Sequence, residues 1–455
     1  MDMRPQPFRA PAPVPHEGQL GLLRFLLTVS RNPLRIWGER AYREPFVTAD
    51  WLNVPTIVVN DPATIRHCLV ENARNYAMQP LRQRLLRPLL RDGLLTAEGE
   101  LWRRTRRAIS PIFTPKTVQS LAPVMAARAE AFADGLAAAP GRAVDVSLQM
   151  TLLTYDILQA TLFSDDIAGE PKAFAEAMET TIGRMGRVDP LDVLDAPAFL
   201  PRPTRFFASR SETYFRKLIA ETIERRQGLM TRDPASTPRD LLTLLLETEG
   251  LSRSEIEDNI ITFIGAGHET TARALGWTLY LLSQAPEERF KVEEELDALL
   301  PDLPDPATWP DRLVHTRAAF EEAMRLYPPA ASLNRTALED DRFGDLEIPA
   351  GSSVLVWPWL VHRHRALWKD PDHFVPARFL PENRESIGRF QYIPFGVGPR
   401  VCIGQSFALQ EGVILLASLL RRLRFDFAGA KEPAPVLKIT IQPDRPLAMT
   451  VVRRR

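Results

Sequence analysis

Three short stretches hold residue types whose spacing could do chemistry. The first, FGVGPRVCIGQSF at residues 395–407, contains Cys402, one of two cysteines in the 455-residue chain. Gly396, Gly398 and Pro399 force an irregular loop and the periodic run after Gly404 is a helix, so Cys402 stands at a loop-to-helix junction. Backbone N–H groups at a helix start, with Arg400 nearby, favour an anionic sulfur. A thiolate serves as a nucleophile or as a metal ligand. A nucleophile would want a histidine base, and none of the seven histidines stands in a setting like that of a cysteine hydrolase. Zinc would want companion Cys or His ligands close by, which the stretch lacks. A single axial bond to a haem iron fits a single cysteine.

The second stretch, IITFIGAGHETTARALGW, places Gly265, Gly267, Thr270 and Thr271 in the middle of a long helical pattern. Each glycine costs about 1 kcal/mol relative to alanine, and a threonine hydroxyl can bond the carbonyl one turn back and loosen the helix. Such a weak spot either lets something flat lie against the backbone, with Glu269 and Thr270 delivered as an acid and a hydroxyl, or marks a close helix crossing with a tolerated kink. The third stretch, EAMR, sets Glu322 and Arg325 three apart on one helix, the spacing of an ordinary surface ion pair. Ala318, Phe320, Met324 and Leu326 make that helix apolar nearly all round, so the pair is expected to be buried and to need a further partner, for which Arg378 is the candidate.

The elements that position these residues can be read in outline. Ser252 and Glu255 form a capping-box pattern, and the helix they start runs to the Ala285-Pro286 stop. Strand signals cluster in PTIVV, in DLEIPAGSSVLVWPWL and in VLKITIQPDRPLAMTVV, so a mainly helical body with small sheets is expected. Cys68 lies beside Ile65 and Leu69 and reads as a small core residue. With 45% hydrophobic residues the chain can bury a large core, and equal numbers of acidic and basic residues, 57 each, leave no global field for nucleic acid or a membrane surface. QLGLLRFLLTVS is the one early apolar run; Arg24 interrupts it well short of the roughly 20 residues of a membrane span, and it reads as a surface-packed helix, not a signal peptide. The expected compartment is the cytoplasm.

Taken together, FGVGPRVCIG, with Phe395, Gly398, Arg400, Cys402 and Gly404, resembles the haem-binding signature of the cytochrome P-450 family. AGHETT, Ala266 to Thr271, is similar to the oxygen-binding motif of that family's long distal helix. EAMR followed by LYPP resembles its Glu-x-x-Arg, and DPDHFVPARF the later region in which an arginine, here Arg378, completes a triad with Glu322 and Arg325. WRRTR matches the tryptophan and arginine, Trp102 and Arg106, that bind haem propionates. The resemblance covers residues 35 to 450 or so and implies an α+β fold, mainly helical, with haem b buried between the distal helix and the helix after the cysteine loop. Residues 1–34 are then an N-terminal extension and helix, and 35–455 a single haem-thiolate domain.

The resemblance also implies roles. Cys402 would bind the iron; Glu269 and Thr270 would relay protons; Trp102, Arg106, Arg400 and Arg335 would hold the propionates, with His362 a weaker candidate; Ala266, Phe395 and Gly404 would border the haem. Met78, Phe263, Ala330, Leu333, Ile439 and Thr440 would line a mostly apolar pocket, so the substrate is expected to be a hydrophobic small molecule. PLRQRLLRPLLRDG, with Arg82, Arg84, Arg87 and Arg91, reads as a solvated helix face, the alternative being an anchor for a substrate carboxylate. With no fused redox domain read in the chain, electrons from NAD(P)H are expected through a ferredoxin and its reductase, docking near Arg103, Arg104, Arg107, Arg421 and Arg422. The expectation is a monomeric monooxygenase that binds no nucleic acid and no membrane; a peroxide-driven haem enzyme and a non-catalytic haem sensor are the alternatives.

Overall fold

The longest helix begins where its capping box lies. Ser252 Oγ accepts from the Glu255 N–H at 3.2 Å, Glu255 Oε2 accepts from the Ser252 N–H at 2.6 Å, and the helix runs Arg253–Gln284. Its 32 residues span about 48 Å at the usual rise, enough to cross the protein. In this computed structural model residues 6–51, 54–138, 141–167, 177, 189–194, 196 and 208–454 are described.

Among those residues the longer helices are α1 (Leu22–Arg31), α2 (Pro80–Leu90), α3 (Gly99–Ile109), α4 (Ala122–Ala137), α5 (Val146–Leu162), α6 (Ala208–Arg232), α7 (Arg253–Gln284), α8 (Pro286–Leu299), α9 (Val314–Leu326) and α10 (Gln405–Leu420). Helix α7 is buried over most of its length and packs against α5. A side chain at Gly267 would meet Leu158 Cδ1 at 2.3 Å, and Thr154 of α5 donates to the His268 carbonyl at 2.9 Å. The close-crossing explanation therefore holds for Gly267. It does not hold for Gly265, around which the space for a side chain is open. One helix thus carries two glycines for two different reasons.

The small sheets are mostly antiparallel. A five-stranded sheet has the order β1 (Phe46–Trp51), β2 (Val54–Val59), β8 (Ser353–Leu355), β5 (Arg335–Ala337), β3 (Tyr76–Met78), with only β2 and β8 parallel. β4 (Ala143–Asp145), β12 (Ala448–Arg453) and β9 (Leu423–Phe427) form a second sheet, and β6 (Asp341–Phe343) with β7 (Leu346–Ile348) and β10 (Pro435–Leu437) with β11 (Ile441–Pro443) form two hairpins. Six of these twelve strands, β2, β7, β8, β10, β11 and β12, fall in the segments whose β-branched residues mark them, and the other six lie outside those segments. Cys68 is fully buried and burial pushes its thiol up to about 11, as suits a core residue.

The N-terminal residues pack on the body of the fold. Ala10 N–H donates to Asp372 O at 2.9 Å, Phe374 N–H donates to Phe8 O at 2.8 Å, and the Asn32 side chain bonds Pro435 O and the Leu437 N–H at 2.9 and 3.2 Å. Among the described residues no helix is long and apolar enough to cross a membrane.

Candidate active site

The cysteine loop is shaped by backbone. Gly398 has φ +74°, and a side chain there would strike the Leu69 carbonyl oxygen at 1.9 Å, so both conformation and space require glycine. The loop closes when Cys402 N–H donates to Phe395 O at 2.9 Å, and Gly404 then caps α10. Cys402 presents open surface, yet protein crowds round it, which places it on the wall of a recess. Burial pushes its thiol up, while the Gly404 N–H and Arg106 pull it down. The expectation of a spontaneously anionic sulfur is corrected here: desolvation outweighs the helix start. The nearby cation is Arg106, not Arg400, whose guanidinium lies 4.3 Å over the Trp102 ring and donates to Ala97 O at 2.7 Å. A metal cation at the sulfur would supply the charge that deprotonates it.

Above the loop four arginines converge. Burial together with Arg82 lowers Arg335 to about 10, and burial together with Arg335 and Arg106 lowers Arg400 to about 10; only Glu98 opposes either. Burial lowers Arg106 too, and Cys402 opposes it. Arg82, lowered by burial and by Arg400, was not among the expected site residues. The solvated-face reading of its helix is therefore wrong for Arg82 and right for Arg87, which pairs with Asp92 at 2.7 Å on the surface. Pairing of β3 with β5 sets Met78 opposite Arg335, and Gln79 bonds Ser353 and Asn334, so the first turn of α2 starts beside Arg335. Cations packed at the expense of their own charge form a site for anions. One thiol and four guanidinium groups fit a haem, whose propionates are two carboxylates. His362 is not among them: its Nε2 accepts from the Ile393 N–H at 2.8 Å, and burial beside Arg325 holds the ring neutral.

On α7 the acid and the hydroxyl point apart. Thr270 Oγ1 donates to the Ala266 carbonyl at 2.8 Å and stays partly open beside exposed Ala266. Glu269 is buried; its Oε1 accepts from Thr440 Oγ1 at 2.6 Å and lies 3.9 Å from Arg273 Nε. Phe263 is buried and stacks on Phe113 at 5.7 Å, so it contributes little open pocket wall. Phe113 also lies 3.9 Å from the side-chain position of Gly404 and so joins α7 to the cysteine loop. Met78, Leu333 and Ile439 are half-buried and Ala330 exposed, while Leu333 reaches toward Gly396 at 3.5 Å.

Glu411 of α10 was also not anticipated. It is buried, neither carboxyl oxygen makes a well-formed hydrogen bond, and the Thr271 hydroxyl of α7 is the polar group acting on it. Burial pushes this carboxyl from 4.5 up to about 8. Between those values the folded chain keeps a proton that the unfolded chain releases, so stability falls as pH rises from 4.5 to 8 and levels off above. Glu411→Gln is expected to remove that slope, a gain of about 3 kcal/mol at pH 7 and none near pH 4. Melting temperatures across that range, wild type against variant, check it; parallel curves would show that Glu411 ionises normally.

The triad is assembled. Glu322 and Arg325 are fully buried and joined by two bonds at 2.7 and 2.8 Å. Arg325 also donates to the carbonyls of His362, Pro371 and His373, which uses all five of its N–H groups. Glu322 Oε1 accepts further from Arg378 Nε at 3.4 Å and from the Val375 N–H at 2.9 Å. The expected redox face is less open than its arginines suggest. Arg104 bonds Glu255 at 3.3 Å, Arg103 bonds Glu100 at 3.1 Å, Arg421 bonds Glu130 at 3.3 Å and Arg422 bonds Asp134, whereas Arg107 is exposed.

Known proteins share this architecture and are similar in sequence. Cyclooctatin synthase of Streptomyces melanosporofaciens is 32% identical over 441 residues, covering 94% of both chains. Protein LUTEIN DEFICIENT 5, chloroplastic, of Arabidopsis thaliana is 30% identical over 421 residues, 88% of this chain and 70% of that protein. The crystal structure of the cytochrome P450DA heme domain superposes with a TM-score of 0.82 at 26% identity, covering 98% of this chain and 99% of that one. Residues 25–450 match the family profile of cytochrome P450. A cysteine loop facing an arginine cluster, under a helix that carries an acid and a threonine, is what these comparisons join to a name: the chain belongs to the cytochrome P450 family of haem monooxygenases.

Proposed function

We propose that the protein inserts one atom of dioxygen into a hydrophobic small molecule, with electrons from NAD(P)H delivered by a separate ferredoxin and reductase in the cytoplasm. The observation that carries this reading is the convergence of Arg82, Arg106, Arg335 and Arg400 above the Cys402 thiol. Haem b bound there supplies the iron chemistry that activates dioxygen. Cys402 anchors it; the arginines, with the Trp102 indole N–H, orient its carboxylates. Phe113, Phe263 and Leu333 exclude water from the site. Ala266 leaves room at the open face of α7, Thr270 Oγ1 holds a proton there, and Glu269 replenishes it. Ile439 and Met78 bound the substrate space. Arg107 is an exposed cation open to an acidic ferredoxin.

Steady substrate-dependent NAD(P)H consumption with ferredoxin and reductase, and little turnover with peroxide alone, is the result that supports this function. No consumption with any redox partner would overturn it. A hydrophobic library screened for the Soret shift on binding then finds the substrate.

Thr270→Ala deletes the hydroxyl but keeps pocket and ligands, so substrate affinity is expected to stay within a few fold while reducing equivalents leave as hydrogen peroxide. Proton-transfer groups contribute about 10²–10⁴ in rate, reduced where water substitutes. The ratio of product to NAD(P)H consumed is the measurement, and an unchanged ratio removes Thr270 from the proton path.

A further inference from the structure

Glu269 stands next to Thr270 in the chain but is engaged elsewhere. Its Oε1 accepts a short bond of 2.6 Å from Thr440, 171 residues away, and the same oxygen faces Arg273 at 3.9 Å. Both Glu269 and Thr440 are 3% exposed, so the bond is shielded from water. Thr440 lies in the turn between β10 and β11, whose two sides are tied down. Asn32 bonds Pro435 O and Leu437 N–H on one side; on the other, Ile441 N–H donates to Pro329 O at 3.2 Å and the Trp277 indole of α7 donates to Ile441 O at 3.3 Å. Between these anchors the turn itself is closed by a Lys438 N–H to Thr440 O bond of 3.1 Å. Ile439, next to Thr440, is half-buried and is one of the residues proposed to bound the substrate space.

We propose that Thr440 is a positioning residue that latches Glu269 away from Thr270 until a substrate, pressing on Ile439, displaces the turn and frees the carboxyl to deliver protons. The inference rests on the reading of Glu269 as the proton source and adds to it a means by which substrate occupancy controls that source. Without substrate the acid is stored, so reducing equivalents are not spent on futile oxygen reduction. The hydroxyl suits this use: it donates one directional bond to a carboxylate, and a small shift of its backbone breaks that bond.

Thr440→Val keeps the shape and removes the donor; Thr440→Ser keeps the donor. Crystals of the substrate-free holoenzyme of Thr440→Val are expected to show the Glu269 carboxyl moved from the turn. Substrate-free NAD(P)H oxidation should rise about fivefold, the factor one net hydrogen bond is worth. Substrate affinity by Soret titration should rise by up to the same factor, because binding no longer has to break the bond, and Thr440→Ser should restore the parent values. A Thr440→Val protein with Glu269 in place and no added leak overturns the latch; if Glu269→Gln still lowers the product ratio, the proton role of the acid survives. If Glu269→Gln leaves that ratio unchanged, the latch and the proton role fall together. A Thr440→Val variant that weakens substrate binding without any leak makes Thr440 a pocket wall only and also overturns the latch.

Discussion

Cys402→Ser is expected to abolish monooxygenase turnover while leaving a folded chain. The sulfur makes no structural bond that serine would break, because the loop is closed by the Cys402 backbone N–H to Phe395 O and by Gly398, neither of which the substitution touches. What is lost is the ionisable group. Gly404 N–H and Arg106 favour a charge on the thiol, but a serine hydroxyl does not ionise near neutral pH. The arginine cluster remains, so haem is expected to bind weakly without thiolate ligation. The absorption maximum of the reduced carbon monoxide complex is the measurement. A variant whose maximum stayed where thiolate ligation puts it would assign the iron to another residue.

Glu322→Ala is expected to prevent accumulation of haem-loaded protein. It removes the acceptor for two Arg325 bonds, for Arg378 and for the Val375 N–H, and leaves a fully buried guanidinium without a counter-charge. Breaking a buried pair in this way costs about 3–5 kcal/mol, comparable with the whole stability of many domains. Arg325→Lys is expected to fail similarly, since an ammonium cannot reproduce five directed donors. Yield, haem content and urea midpoint report the effect. A normal midpoint for Glu322→Ala would return the pair to the energetics of a surface contact.

Local grammar made much of this legible. The Ser252 and Glu255 cap, the Ala285-Pro286 stop and the glycines around Cys402 act within a few residues, and the helix and loop follow them. The burial of Glu322 was readable because apolar residues surround it on its own helix. Side-chain direction across long separations was not. Glu269 turns to Thr440 and Arg104 turns to Glu255 because of tertiary packing, and no local pattern encodes either. Arg82 lies among arginines of similar local setting, and only the pairing of β3 with β5 carries it inward. Glu411 could have been noticed as a lone carboxylate in the apolar run SFALQEGVILLASLL, but its partner Thr271 is on another helix.

The ties between the ends of the chain also bear on how it is made. Asn32 finds its partners at Pro435 and Leu437, and β4 pairs with β12 through Ala143–Asp145 and residues 448–450, so early segments wait for ones made hundreds of residues later. Contacts this distant along a chain slow folding, since loop closure must precede any gain from them. On the ribosome the helices that precede residue 421 emerge before the strands β9 to β12 that pack on them. The turn that carries Thr440 is made well after α7, so the acid waits for its partner, and a nascent chain stalled before residue 435 leaves both Asn32 and Glu269 without these bonds.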